Sequence, residues 1–336
     1  MRTFFVAELS GNHNKCKARA EKLIYAAADS GADAVKLQTF KPSCLTLPGA
    51  HRINEPSSAW HGRELFELYE EACMPWEWQE DLYKLANRLG LKCFSSPFSI
   101  DGVNFLESIG NSIYKIASME INHFPLLKAI AETKKPVILS TGGASVVEIA
   151  EAVQILRING CTELTLLKCT SAYPAEPIEI NLQTMKHMSD LFECGVGLSD
   201  HTMGIGVAIA AVVHGAVCIE KHLTLRRDDG GVDSEFSMEP EEFKMMVTES
   251  RRAQQALGKI FYGLEEKETL VSAGKRSIYA AKDIAIGEVF NDDNIRIVRP
   301  GYGLHPKHFS ELIGKKSNRN IKYSSPLLAS DVHEFS

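Results

Sequence analysis

PVILSTGGASVVEIAEAVQILRINGCTELTLLKCT, residues 136–170, is the segment whose reading decides the fold. PVILST (136–141) and ELTLLKCT (163–170) are short aliphatic and β-branched runs of the kind that form buried strands. Between them, residues 145–158 space apolar side chains three and four apart, the period of an amphipathic helix. Strand, helix and strand in that order make a parallel pair joined by a crossover helix.

The same unit recurs in both directions. FFVAEL (4–9), AVKLQT (34–39), LKCFSS (91–96) and SIYKIAS (112–118) are strand candidates before it, and VGLSD (196–200) and AVCIEKHLT (216–224) follow it. Helical periodicity is also clear over residues 17–30, 76–89 and 238–257. Eight strands, each followed by a helical segment, in roughly 250 residues predict an α/β fold of the (β/α)8 TIM-barrel type. A doubly wound open sheet is the alternative. It calls for a glycine-rich dinucleotide turn after the first strand, and Glu8-Leu9-Ser10-Gly11-Asn12-His13 lacks the G-x-G-x-x-G pattern.

Two segments stand outside the repeat. Residues 41–75 are long for a βα loop, carry Pro42, Pro48, Gly49, Pro56 and Gly62 with a helical patch RELFELYEEA, and are expected to form a lid or binding loop. The barrel domain is expected to span 1–258, followed by a charged, glycine-containing linker over 259–275 and a small second domain over 276–336. That last unit has short β runs (SIYAAKDI, IRIVRP) and a helical turn (PKHFSELIG). At about 60 residues it is near the lower limit for an independent core.

Composition excludes several function classes. The net charge is −6 and no basic run is present, so duplex nucleic acid is not an expected partner. No apolar stretch approaches a membrane span, and MRTFFVAELS turns polar too soon for a signal peptide. The eight cysteines are irregularly spaced with no C-x-x-C, which predicts reduced, buried thiols in a cytoplasmic protein, with a catalytic cysteine as the lesser alternative.

In a barrel, polar residues at the C-terminal strand ends face the active site. Here those ends carry Glu8, Lys36, Gln38, Ser95, Ser96, Lys115, Ser118, Glu120, Ser140, Thr141, Lys168, Thr170, Ser199, His201, Glu220 and His222. Lys36, Lys115 and Lys168 sit in apolar strands, where an unpaired ammonium is costly. Each alone is as readily explained by a structural ion pair with a neighbouring carboxylate. Their convergence on one mouth points to an anionic ligand, and the serines beside them offer neutral donors for phosphate oxygens. His201 and His222, on adjacent strands, suit a divalent ion with open positions, against the plainer reading of two core histidines bonded to backbone. Lys36 or Lys115 as a Schiff-base lysine is a further possibility on chemistry alone.

The ordered motifs AELSGNH, AVKLQT, FSSPF, YKIAS-x-E, ILSTGG, LLKCTSAYP, VGLSDHT and IEKHLTL together resemble the sialic acid (nonulosonic acid) synthase family. KDIAIGEVF and VRPGYG resemble that family's C-terminal antifreeze-like (SAF, β-clip) domain. WHGRELFELYEEACMPWEW (60–78), LLKCTSAYP (166–174) and VRPGYGLHPKHF (298–309) are more similar to the pseudaminic acid branch than to the N-acetylneuraminate branch. Ser171, where N-acetylneuraminate synthases show Asn, agrees with that.

The resemblance implies a transferase that condenses phosphoenolpyruvate with an amino-sugar aldehyde and releases phosphate, the methylene carbon attacking the aldehyde and water adding at the enol carbon. It implies that Lys36, Ser96, Lys115, Ser118, Ser171 and Ser199 hold phosphoenolpyruvate. His201 and His222 would bind Mn²⁺, Mg²⁺ or Co²⁺, and Glu8, Glu120 and Glu220 would manage protons. Gln38, Tyr173 and Asp233 would meet the sugar, with Arg299 reaching it from a partner subunit in a domain-swapped homodimer. The expected acceptor is 2,4-diacetamido-2,4,6-trideoxy-L-altrose. The alternatives are the N-acetylneuraminate and legionaminate reactions, and more remotely a non-catalytic sugar-binding protein.

Overall fold

The computed structural model describes residues 2–56, 60–268, 271 and 273–335. Eight parallel strands close into a barrel in sequential order. They are β1 Phe4–Glu8, β2 Ala34–Thr39, β3 Lys92–Pro97, β4 Tyr114–Ile116, β5 Val137–Ser140, β6 Leu164–Cys169, β7 Gly195–Asp200 and β8 Cys218–His222. The helices between and after them are α1 Lys17–Asp29, α2 Pro42–Leu45, α3 Leu65–Ala72, α4 Trp76–Arg88, α5 Ile100–Ser108, α6 Phe124–Glu132, α7 Val146–Ile158, α8 Gln183–Phe192, α9 Gly206–Val213 and α10 Pro240–Ala256. The expected (β/α)8 architecture is present, and β4, expected over 112–118, is limited to three residues.

Local chemistry fixes where these helices begin. Ser145 and Glu148 form a reciprocal capping box at the start of α7, and Ser99 accepts from the Gly102 N–H at the start of α5. Each such cap stabilises its helix by about 1 kcal/mol. Glu239 and Glu242 cap α10 in the same way, with Pro240 at its first position.

Strand parity then sorts the barrel. Side chains of a strand alternate between its faces. Val6, Ala34, Phe94, Ile113, Ile138, Leu167 and Cys218 meet inside the barrel and plug it. The alternate residues, among them Phe5, Ala7, Val35, Leu37, Tyr114, Ile116, Leu166 and Leu198, pack outward against the helices. Gly197 belongs to the inner set: a Cβ there would lie 2.2 Å from the Cys218 carbonyl oxygen, so no larger residue fits.

Parity also corrects one expectation. Lys168 follows Leu167 and therefore faces outward. Its Nζ donates to the Cys169 carbonyl at 3.0 Å, and it lines a separate hollow with Val146 and His187 rather than the barrel mouth. Asp200 and Lys221 face outward for the same reason and form a buried ion pair of 2.7 Å. The thiols also divide: all eight are free, Cys93, Cys161, Cys169 and Cys218 are buried, but Cys16 and Cys44 are exposed.

The chain separates into a compact unit ending at Gly258 and a second from Lys259 onward. In the second, β9 (Ser277–Ala280) pairs antiparallel with β10 (Ile295–Val298), and a short helix α11 (Phe309–Leu312) follows. Ile278, Ile284, Phe290, Ile295, Leu312, Ile321 and Leu327 give it a core of its own. No helix among the described residues is long and apolar enough to cross a membrane.

Candidate active site

The residues two positions beyond the inner plug are polar on every strand. Val6 leads to Glu8, Ala34 to Lys36, Phe94 to Ser96, Ile113 to Lys115, Ile138 to Ser140, Leu167 to Cys169, Gly197 to Ser199 and Cys218 to Glu220. Parallel register sets them side by side, with Glu8 opposite Lys36 and Ser199 opposite Glu220. All but Glu8 and Ser96 line the floor of a cavity of about 310 Å³ at the C-terminal mouth.

The floor is an ion network. Lys36 Nζ lies 2.5 Å from Glu8 Oε2 and 3.4 Å from Glu220 Oε1, and Lys115 Nζ is 3.8 Å from the same Glu220 oxygen. Ser199 donates to Glu220 at 3.1 Å, and Lys36 donates to Ser96 Oγ at 3.5 Å. Glu8 also accepts from the Ser10 N–H at 2.8 Å and from Gln38 Nε2 at 3.3 Å. Lys36 and Lys115 are each paired with carboxylate, as the plainer reading has it, and each also lines the cavity.

Burial and pairing set the protonation tendencies. Burial opposes the Lys36 ammonium, but Glu220 and Glu8 outweigh it and hold its pKa above the ordinary value. Lys115 is pulled down by burial. Burial raises Glu8 even against Lys36, whereas Glu220 is held low because Lys115 and Lys36 overcome its burial. Two carboxyls in one network are thus pushed in opposite directions, the pattern that separates acid from base roles. Glu120 stands apart. It ends a turn after β4, lines the rim, and is raised by its own burial.

The next inward positions carry the histidines. The rings of His201 and His222 are 5.4 Å apart, and both line the cavity. His201 Nδ1 lies 2.9 Å from the Thr170 carbonyl, which can only accept, so Nδ1 carries the proton. His222 Nδ1 is 3.2 Å from Ser10 Oγ. Among the described residues neither Nε2 has a hydrogen-bond partner, so both are open to a ligand in the cavity. Burial takes His222 well below its ordinary pKa, which keeps it neutral. Burial likewise opposes charge on His201, but Cys169 outweighs it and raises that pKa.

The described residues hold no group of three His, Cys, Asp or Glu side chains placed to grip a metal ion. The donor set fits a divalent ion held by two imidazoles, with its other positions left to substrate and water.

The remaining assigned residues divide. Ser118, Ser171, Tyr173 and Asp233 line the cavity with Gln38, while Glu8 and Ser96 lie behind it, in contact with Lys36. Asp233 accepts from the Gly11 N–H at 3.3 Å. Arg299 belongs to the second unit, just after β10. His13 does not line the cavity; it is fully buried, and burial brings its pKa down to about 4.

Several lining residues were not singled out from sequence. Trp60, from the long insertion, donates through Nε1 to the Val232 carbonyl at 2.8 Å and packs 5.5 Å from the Tyr173 ring. Leu65, Leu68 and Tyr69 of α3 add an apolar wall with Phe40 and Phe98. The amphipathic patch RELFELYEEA was the available signal for that wall. Cys169 was the other omission: burial raises its pKa, but the His201 ring 3.9 Å away brings it down to about 7.

Gly142 shows how little room the Ser118 and Ser171 side of the cavity leaves. Its N–H donates to Ser118 Oγ at 2.9 Å, and an added Cβ would meet Ser171 Oγ at 2.2 Å and Ser118 Oγ at 2.9 Å. Gly142→Ala should displace both hydroxyls by about an ångström and lower kcat/KM on the order of a hundredfold, with the melting temperature little changed. Steady-state kinetics alongside thermal unfolding would check it. An unaltered kcat/KM would remove Ser118 and Ser171 from substrate binding.

Fold and site together define a class: closed α/β barrels that gather lysines, hydroxyls and paired imidazoles around one cavity at the C-terminal mouth. Residues 23–262 match the NeuB family and residues 275–333 the SAF domain. The chain belongs to the NeuB family. It is 41% identical over 331 residues to the pseudaminic acid synthase of Campylobacter jejuni, covering 98% of this chain and 96% of that one. It is 37% identical over 325 residues to the N,N'-diacetyllegionaminic acid synthase of the same species, covering 96% and 97%. Among solved structures, the N-acetylneuraminic acid (sialic acid) synthetase of Leptospira borgpetersenii superposes with a TM-score of 0.72 at 32% identity, covering 81% of this chain and 90% of that one.

Proposed function

We propose that this chain is a pseudaminic acid synthase, condensing phosphoenolpyruvate, 2,4-diacetamido-2,4,6-trideoxy-L-altrose and water to pseudaminic acid and phosphate. The observation that carries the reading is the cavity's division into two halves. A floor of Lys36, Lys115, Ser118, Ser171 and Ser199 suits phosphate and carboxylate, and the wall of Phe40, Leu65, Leu68 and Tyr69 suits methyl groups. A 6-deoxy, doubly acetylated sugar presents methyls where N-acetylmannosamine presents a hydroxyl. A buried polar group facing an apolar wall loses its hydrogen bonds, which discriminates against the hydroxylated sugar.

In this reading Lys36 and Lys115 hold the phosphate in a dry, preorganised setting, where fixed charges act without rearranging. Glu220, kept ionised, accepts a proton from the attacking water. Glu8, raised by burial, stays behind Lys36 and fixes its position. Glu120 at the rim protonates the new alkoxide. Gln38, Tyr173 and Asp233 orient the open-chain sugar between the imidazoles and the Trp60 strap. His201 and His222 would hold a divalent ion through their Nε2 atoms; bound there, it supplies Lewis acidity to the aldehyde oxygen. The proposal includes a cytoplasmic homodimer in which Arg299 of one subunit completes the partner's sugar site.

The test is phosphate release from phosphoenolpyruvate with Mn²⁺, supplying either the diacetamido-trideoxy-altrose or N-acetylmannosamine. Preference for the first is expected. Preference for the second moves the enzyme to the sialic acid branch. Release with neither, in folded metal-loaded protein, overturns the assignment unless the legionaminate precursor supports it.

A further inference from the structure

The long insertion after β2 is held at its base and again at its outer turn. At the base, the Tyr69 ring of α3 packs 6.0 Å from Phe40, and Ala72 lies so close to Gly11 that a Cβ on that glycine would be 3.4 Å from the Ala72 Cα. Further out, the chain folds back on itself. The Ile53 N–H donates to the Arg63 carbonyl at 2.9 Å, the Gly62 N–H to the Ile53 carbonyl at 2.7 Å and the Leu65 N–H to the His51 carbonyl at 3.0 Å. The Arg63 N–H closes a tight turn on the Trp60 carbonyl at 3.1 Å, with Gly62 at φ +79°, a value that favours glycine. Trp60 opens that turn.

Its indole has two partners across the mouth. A tryptophan N–H only donates, and Trp60 Nε1 donates to the Val232 carbonyl at 2.8 Å. Val232 belongs to the loop between β8 and α10, which is fixed from beneath by the loop after β1. Asn14 Nδ2 donates to the Gly230 carbonyl at 3.1 Å, the Gly11 N–H to Asp233 at 3.3 Å and Asn12 Nδ2 to Ser237 Oγ at 2.8 Å. That loop is a rigid post, and the Trp60 turn hangs from it. The second partner is Tyr173, whose ring centroid lies 5.5 Å from Trp60 and 4.3 Å from His201. Phe236, 3% exposed, packs against Trp60 at 6.2 Å and Tyr173 at 5.0 Å. Aromatic pairs at such separations attract beyond the area they bury. Tyr173 is thus wedged between an imidazole and an indole.

Trp60, Tyr173, Val232 and Asp233 all line the cavity. The floor is held differently: Lys36 and Lys115 are paired with Glu8 and Glu220 on the strands themselves. We infer that Trp60 is a positioning residue that clasps the insertion to the β8–α10 loop and sets the Tyr173 ring, so that it orders the sugar side of the cavity and leaves the lysine floor unaffected. The clasp is a property of the substrate-free protein; its consequence for the sugar rests on the function proposed above.

The experiment compares wild type with Trp60→Phe, which keeps a ring beside Tyr173 and loses the donor, and Trp60→Ala, which loses both. Both should stay folded, since Trp60 lies outside the barrel core. Hydrogen–deuterium exchange of the substrate-free proteins should show faster exchange over residues 51–65 in both variants, more so in Trp60→Ala, with the barrel strands unchanged. Kinetics then use whichever sugar wild type turns over, the diacetamido-trideoxy-altrose, N-acetylmannosamine or the legionaminate precursor. Trp60→Ala should lower kcat/KM for that sugar about 10-fold, and Trp60→Phe by a smaller factor. Calorimetric titration with phosphoenolpyruvate in the absence of sugar should give the same Kd for all three proteins. A merely structural role would weaken both substrates together, and that result overturns the inference. Unchanged exchange over 51–65 in Trp60→Ala also overturns it. Faster exchange in the variants of a protein whose wild type accepts none of the sugars would establish the clasp and refute the function proposed above.

Discussion

Lys36→Met should destabilise the fold more than Lys115→Met, although both remove one buried ammonium from the same floor. Without Lys36, Glu8 loses the ammonium 2.5 Å away and, among the described residues, keeps only the Ser10 N–H and Gln38 as donors. Glu220 loses a contact of 3.4 Å but keeps Lys115 at 3.8 Å and Ser199 at 3.1 Å. Removing one partner of a buried pair strands the other charge and costs about 3–5 kcal/mol. For a domain of this size that is a fall in melting temperature on the order of 10 °C. In Lys115→Met, by contrast, Glu220 retains Lys36 and the expected loss is smaller.

The pH dependence follows from the sign of the shift. Glu8 is already raised by burial, and removing Lys36 takes away its largest lowering influence, so its folded pKa rises further. A raised folded pKa favours the native state at low pH and loses that contribution as pH climbs through it. The deficit of Lys36→Met should therefore shrink on acidification, as Glu8 enters the core neutral. Adding Glu8→Gln to Lys36→Met should recover much of the stability at neutral pH without restoring activity. Denaturant unfolding of the four proteins across pH 5–8 checks this. Equal stability of Lys36→Met and wild type would show that Glu8 does not depend on Lys36.

These lysines also show what the sequence could and could not reveal. The eight strands were legible because each is a short apolar run set off by a helical period, and the polar strand ends marked the mouth. The facing of each residue was the harder matter. Lys36, Lys115 and Lys168 look alike as charges in apolar strands, but counting by twos from Ala34, Ile113 and Leu167 turns the first two inward and the third outward. The same count would have flagged Cys169. Trp60 was not accessible to such reasoning, because its place beside Tyr173 depends on how a long insertion folds across the barrel.

His201→Ala and His222→Ala should each lower turnover roughly a thousandfold or more, the size of the several kcal/mol that a Lewis-acid ion contributes to a developing charge. The fold should survive, because both rings line the cavity rather than the outward core. The two variants should lose Mn²⁺ binding together, since among the described residues no third protein ligand would complete the proposed two-imidazole site. Circular dichroism, Mn²⁺ titration and phosphate release on the same preparations separate the possibilities. Wild type treated with a chelator should fall to the level of the variants and recover on adding Mn²⁺, whereas the variants should not recover. If a variant keeps Mn²⁺ affinity but loses turnover, the imidazole acts on substrate directly and the ion lies elsewhere. If either variant keeps full turnover, the chemistry belongs to the floor of Lys36, Lys115 and Glu220 alone, and the open Nε2 atoms above it serve only to shape the sugar's pocket.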